Sequence, residues 1–180
     1  MKTENSRVLI LYGWEGSPAP HWQNYLEKVL HKKGIAVCFP QLSNNYFPNL
    51  DVWLKEAANT FETFKPNIVV THSLGNILWF HLCNRDLVTT LDKLILVAPP
   101  RDLSDYKDVK TFFPIKPPSN LYSKETILVT STNDTYLNMG EAEELAEALH
   151  VEHIVLEKAG HINAVSGYGK WNWIVQEVLK

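Results

Sequence analysis

Six apolar runs punctuate the chain: RVLILY (7–12), IAVCF (35–39), NIVVT (67–71), KLILVA (93–98), TILVT (126–130) and HIVLE (153–157). Most are nearly continuous in apolar, often β-branched residues, which is how strands covered on both faces of a parallel sheet read. Between the runs, apolar residues recur at helical spacing. Trp22, Tyr25, Leu26, Val29 and Leu30 share one face, and Gly34 follows as a stop. Leu50, Trp53, Leu54, Ala57, Ala58 and Phe61 repeat the pattern, with Asn49 as cap and Pro66 beyond the end. Ala142, Leu145, Ala146 and Leu149 line a later helix, where Asn138 precedes Glu141 by three residues as a capping-box signal. Trp171, Ile174, Val175 and Val178 fall on one side of a last helix. Repeated strand–helix units predict an open, three-layer α/β architecture: a six-stranded parallel sheet with helices on both faces and right-handed crossovers.

The 180 residues suit one domain, 1–180, large enough to bury about 70% of the unfolded surface without metal or disulfide staples. One long irregular stretch, 99–125, carries five prolines and reads as a binding loop or lid. Net charge is −3 with the signs mixed, so no basic stripe is present to bind nucleic acid. The polar start MKTENSR lacks a signal-peptide core, and no apolar run reaches membrane-spanning length. Cys38 and Cys83 sit inside apolar segments and read as buried, reduced thiols of a cytoplasmic protein. With no CxxC or HExxH and with scattered histidines, no metal site is expected.

Candidate chemistry begins at Thr71-His72-Ser73-Leu74-Gly75, where a strand run gives way at once to the helical segment Asn76–Phe80. A serine on a tight strand–turn–helix corner is held clear of the sheet, and the N–H of the next residue, Leu74, faces the same space. The usual form is G-x-S-x-G. Here Thr71 stands at the first glycine, and the pentapeptide alone fits a structural turn as well as a nucleophile. A serine needs a base, and the base an orienting acid. On such a fold these follow in the order Ser, Asp or Glu, His. Asp134 lies four residues past the fifth run and His161 four past the sixth, both at strand ends where open α/β sheets bind ligands. In the loop after the first run, Gly13 lets backbone approach closely, and the N–H of Trp14 is the candidate second oxyanion donor.

YGWEGSP, PHWQNYLEKVL, THSLG, STND and AGHIN together resemble the YdeN / retinoblastoma-binding protein nine family of small α/β-hydrolase-fold serine hydrolases, over nearly the full length. The resemblance implies sheet order 2-1-3-4-5-6, no large cap domain and no cofactor. It also implies Ser73 as nucleophile, Asp134 as acid and His161 as base. The expected reaction is hydrolysis of a small-molecule ester, thioester or amide through an acyl-enzyme. A protein-binding module with little turnover is the rival reading, and the sequence leaves a protein partner open. Acyl transfer to another acceptor would use the same residues. Tyr46, Phe47, Phe112, Phe113 and Tyr136 are candidate pocket walls. Trp79, Phe80 and Cys83 read as core, Glu15 as a solvated carboxylate, and His72 as a structural residue turned away from the site.

Overall fold

Side chains alternate between the faces of a strand, and here that alternation divides the core in two. The structure, a computed structural model, describes residues 5–180. The first four residues of the polar lead lie outside the described residues. Strands and helices follow one another as β1 (Arg7–Leu11), α1 (Trp22–Lys32), β2 (Ala36–Cys38), α2 (Leu50–Phe64), β3 (Ile68–His72) and α3 (Leu74–Asn84). β4 (Leu91–Val97), β5 (Ser123–Ser131), α4 (Met139–Leu149), β6 (Glu152–Leu156) and α5 (Asn172–Leu179) complete the order. All strand pairs are parallel, in the order β2-β1-β3-β4-β5-β6.

Val8, Ile10, Ile68, Val70, Ile95 and Val97 pack under α1 and α5, against Trp22, Leu26, Leu30, Ile174 and Val178. Leu9, Leu11, Val69, Leu94 and Leu96 pack on the opposite face with Trp53, Ala57, Ile77 and Leu78 of α2 and α3. Burying both faces of β1, β3 and β4 is the dominant stabilising term, since burial of one Leu or Ile side chain contributes about 1.5–3 kcal/mol.

Caps set where the helices start. Asn49 Oδ1 accepts from the N–H groups of Asp51 and Val52. Asn138 and Glu141 form the reciprocal capping box that the sequence signals. Trp171, placed on the last helix by its spacing, instead precedes α5, and its ring meets Trp22 at 5.3 Å. The 99–125 stretch holds a single 3-10 turn, Lys110–Phe112, and ends where β5 begins at Ser123. Cys83 is buried as expected, whereas Cys38, near the sheet edge on short β2, is only half-buried; both thiols are free. No helix among the described residues is long and apolar enough to cross a membrane.

One buried ion pair crosses from sheet to helix. Lys93 Nζ on β4 donates to Glu177 Oε1 and to the Glu177 carbonyl on α5, both at 3.1 Å, and pairs with Glu125 at 2.9 Å. Burial opposes the charge on Glu177, but hydrogen bonds from Lys180 and Lys93 outweigh it and lower the pKa. Removing one partner of a buried pair leaves an uncompensated charge. Glu177→Ala is therefore expected to lower the unfolding free energy by about 3 kcal/mol, read from urea denaturation. The low end of the usual range applies because Glu125 still reaches Lys93.

Candidate active site

The corner after β3 is tight because α3 comes down on β1. A Cβ at Gly75 would stand 2.6 Å from the Leu11 carbonyl oxygen and 2.7 Å from that of Tyr12, so only glycine permits the approach. Ser73 takes φ 52°, ψ −126° at the corner, a conformation that costs a non-glycine residue about 1–3 kcal/mol. Hydrogen bonds hold it there. Asn76 Nδ2 donates to the carbonyls of Ser73 and Val97, each at 2.8 Å, and Asn76 Oδ1 accepts from Thr71 Oγ1. Thr71 in place of the usual glycine is thus not merely tolerated. Its buried hydroxyl anchors the side chain that fastens the corner.

Ser73 Oγ lies 2.9 Å from His161 Nε2. His161 Nδ1 lies 2.8 Å from Asp134 Oδ2 and 3.0 Å from Oδ1. The Asp134 carboxylate is buried and also accepts from the Tyr136 N–H at 2.9 Å. The three residues that the sequence places at separate strand ends therefore meet in one hydrogen-bonded chain.

The loops carrying Asp134 and His161 are laced together by the residues before the aspartate. Thr132 Oγ1 accepts from the N–H of Lys158, Ser131 Oγ from Ala159 and Asn133 Oδ1 from Gly160, at 2.9, 2.9 and 2.7 Å. Three consecutive polar side chains thus satisfy three consecutive N–H groups just before the histidine. Ala159, the buried residue among the three, needs such a partner.

Across from Ser73 runs the loop after β1. A Cβ at Gly13 would stand 3.0 Å from both Leu74 N and Ser73 Oγ, so the bare glycine keeps open the space beside them. The N–H groups of Glu15 and Gly16 are spent on Asn45 and Gly13 carbonyls. Those of Trp14 and Leu74 have no hydrogen-bond acceptor among the described residues. Trp14 is fixed by its indole N–H on the Tyr46 carbonyl at 2.9 Å. Gln23, buried at the start of α1, donates to the Leu11 carbonyl and accepts from Ser17 Oγ, tying this loop to the helix.

A cavity of about 300 Å³ opens over Ser73, walled by Trp14, Tyr46, Leu103, Tyr136, Asn163 and Val165. Tyr46 and Tyr136 are where the sequence puts them. The other aromatic expectations need correction. Phe47 projects outward, 63% exposed. Phe112 is fully buried against Trp53, because the 3-10 turn points it into the core. Phe113 points the other way, into a separate groove with Ile77, Phe80 and Leu145. His72 is structural, but it is not turned away: its ring lines the cavity wall and stands 5.1 Å from that of His161. Glu15, exposed as expected, is the one Asp, Glu, Lys or Arg lining the cavity. Trp79, Phe80 and Cys83 are buried as read. Among the described residues no His, Cys, Asp or Glu group could hold a metal ion. The roles of Thr71, Asn76 and Gln23 escape sequence reading. An Asn at the start of an otherwise apolar helix is the signal that was there to find.

Sheet order, crossing helices and the serine corner between β3 and α3 define the α/β-hydrolase fold. Within it, the chain belongs to the serine hydrolase family, whose model matches residues 8–180. The ydeN gene product of B. subtilis is similar in structure, with TM-score 0.85 and 19% identity over 97% of each chain. A protein from Pectobacterium atrosepticum described as a YdeN-like hydrolase has TM-score 0.76 and 22% identity, over 96% of this chain and 88% of that one. Est1E from Butyrivibrio proteoclasticus has TM-score 0.68 and 13% identity, over 97% and 89%. The resemblance read from the sequence is thus met at the level of the fold. No curated protein matches the chain.

Gly75→Ala tests the corner. The backbone oxygens it would meet cannot rotate away. We expect a loss of about 2–3 kcal/mol, the upper part of the overpacking range, seen in chemical denaturation with Ser73 unchanged.

Proposed function

We propose that this protein cleaves small esters, thioesters or amides through an acyl-enzyme on Ser73. The observation that carries the reading is the continuous Ser73–His161–Asp134 hydrogen-bond chain at the floor of an open cavity. His161 Nδ1–H faces Asp134, which leaves Nε2 bare to accept the Ser73 proton as Oγ attacks the carbonyl carbon. The Asp134 carboxylate then stabilises the imidazolium. The oxyanion sits between the N–H groups of Trp14 and Leu74, the latter at the positive end of α3, and one such donor is worth about 3 kcal/mol. Imidazolium protonates the departing alcohol, thiol or amine. Water enters, gives its proton to His161 and releases the acid. No cofactor or metal takes part in these steps.

The cavity supports a neutral acyl group. Among the described residues no lysine or arginine lines it, and Glu15 at its mouth would repel a carboxylate. We read residues 1–180 as one catalytic domain. Two unpaired thiols suit a cytoplasmic setting.

Reaction with a fluorophosphonate tests the reading, since only an activated serine is phosphonylated. Ser73 is expected to label in the wild type and not in His161→Ala. A serine that stays unlabelled in the folded wild type would overturn the proposal and favour a binding module. Asp134→Asn presents the wrong tautomer to Ser73 and is expected to lower turnover about 10⁴-fold, with the circular dichroism spectrum unchanged. Acyl length follows from the space available: about 300 Å³ takes a short acyl group but not a palmitoyl chain. Acetyl and butyryl esters should therefore be cleaved faster than palmitoyl esters of the same alcohol, and equal rates would contradict the pocket assignment.

A further inference from the structure

The His21-Trp22-Gln23 segment opens α1, and the mechanism above uses none of its side chains. One of those side chains, Trp22, joins His72 in holding the backbone at the proposed base and the residue after it. His72 Nε2 lies 3.0 Å from the carbonyl oxygen of His161, and Trp22 Nε1 lies 2.8 Å from that of Ile162. Two successive carbonyls are thus each held by a ring N–H, one from the last residue of β3 and one from the first residue of α1.

The residue between these bonds is strained. Ile162 has φ 48°, a left-handed conformation that a β-branched side chain rarely adopts. Its side chain is fully buried in the core beneath α1 and α5, which fixes the position of its Cα. The rings that hold it are themselves packed. His72 meets Trp22 at 5.7 Å, edge on, and His21 at 4.9 Å. His21 Nδ1 accepts from the Gln23 N–H at 3.2 Å, which fixes its tautomer and caps α1.

We infer that His72 and Trp22 are positioning residues: by holding the His161 and Ile162 carbonyls they keep the His161 ring aligned between Ser73 and Asp134. The inference rests on the proposed role of His161 as base. Its physical content is that His161 is placed from behind as well as by Asp134. The base loop leaves β6 at the sheet edge and is a long way from β3 in the strand order. A ring N–H at the tip of β3 gives it a direct reference to the serine one residue on. His72 is a donor here, so its proton sits on Nε2 and it takes no proton from substrate. Burial first, then the neighbouring His161 and His21, hold its pKa well below the ordinary value. It therefore adds no positive charge against the imidazolium that forms 5.1 Å away.

The test compares variants that keep ring volume with one that keeps a donor. His72→Phe and Trp22→Phe delete the N–H and preserve an aromatic ring; His72→Gln retains an amide donor. His72→Phe is expected to lower kcat on an acetyl ester about 10- to 100-fold, with KM within about twofold. Fluorophosphonate labelling of Ser73 should slow by the same factor, and His72→Gln should recover part of both. Trp22→Phe should act in the same direction. A folded His72→Phe with kcat and labelling near wild type would overturn the inference, and so would a loss confined to KM. Should His72→Phe not fold, Trp22→Phe decides by the same criteria. A wild type that never labels would instead defeat the catalytic reading itself, so the two failures are distinguishable.

Discussion

The hydrogen bond between Ser73 Oγ and His161 Nε2 spans 2.9 Å in space and 88 residues in sequence, and the rest of the fold can be understood as what makes it persist. Neither partner can be placed locally. The serine depends on α3 pressing against β1, which only Gly75 allows. The histidine depends on a loop at the edge strand, two strands removed from β3 by β4 and β5. A bond of this kind contributes only about 1 kcal/mol net. It cannot organise the loops that present it. The loops must be organised first, by the sheet and by polar contacts that play no part in bond breaking.

Those contacts fall into three groups, each with a separate job. Thr71 and Asn76 fasten the serine corner. Ser131, Thr132 and Asn133 lace the aspartate loop to the histidine loop. Trp22, Gln23 and His72 join α1 and β3 to the end of β1 and to the histidine loop. Positive φ angles at Glu15, Ser73, Ala98 and Ile162 fall at the same rim, past the ends of β1, β3, β4 and β6. Strain collected at one edge of a sheet is stable only where the surroundings over-determine it. Here the surroundings are a sheet whose central strands are buried on both faces, and hydrogen bonds that satisfy every buried side-chain nitrogen and oxygen among the described residues except Trp79 Nε1.

Much of this was legible in the sequence, for physical reasons. Strands buried on both faces have to be continuously apolar, which made β1, β3 and β4 readable; the edge strands β2 and β6 are partly exposed but keep short apolar runs. β5 begins at Ser123, three residues before its apolar run; Lys124 and Glu125 there are exposed and polar, so apolar patterning does not mark them as strand. That Ser73, Asp134 and His161 would meet was readable because their order and distance past each strand follow from the topology. The pocket was less so. Phe112-Phe113 carries no periodicity that says which ring faces inward, and a 3-10 turn decided it. Gln23 and Asn76 were invisible for a related reason: a buried polar residue at a helix start looks in sequence like any solvated cap, and only its distant partners reveal it.

Three histidines cluster at this rim, and their surroundings divide the labour among them. Burial, then His161 nearby, lowers the His21 pKa to about 4, and burial, then His161 and His21, holds that of His72 well below its ordinary value. Both shifts favour the neutral ring, and the two serve as a cap acceptor and a carbonyl donor. His161 differs in one respect: it alone faces a carboxylate, Asp134 at 2.8 Å. In the proposed mechanism, the charge that develops as Ser73 gives up its proton would be stabilised on that ring and on neither neighbour. A lysine or arginine in place of His72 could also donate to the His161 carbonyl, but it would set a fixed positive charge beside the forming imidazolium in a poorly screened site. A buried neutral imidazole supplies the bond without the charge, which gives a physical reason for the histidine that precedes the serine.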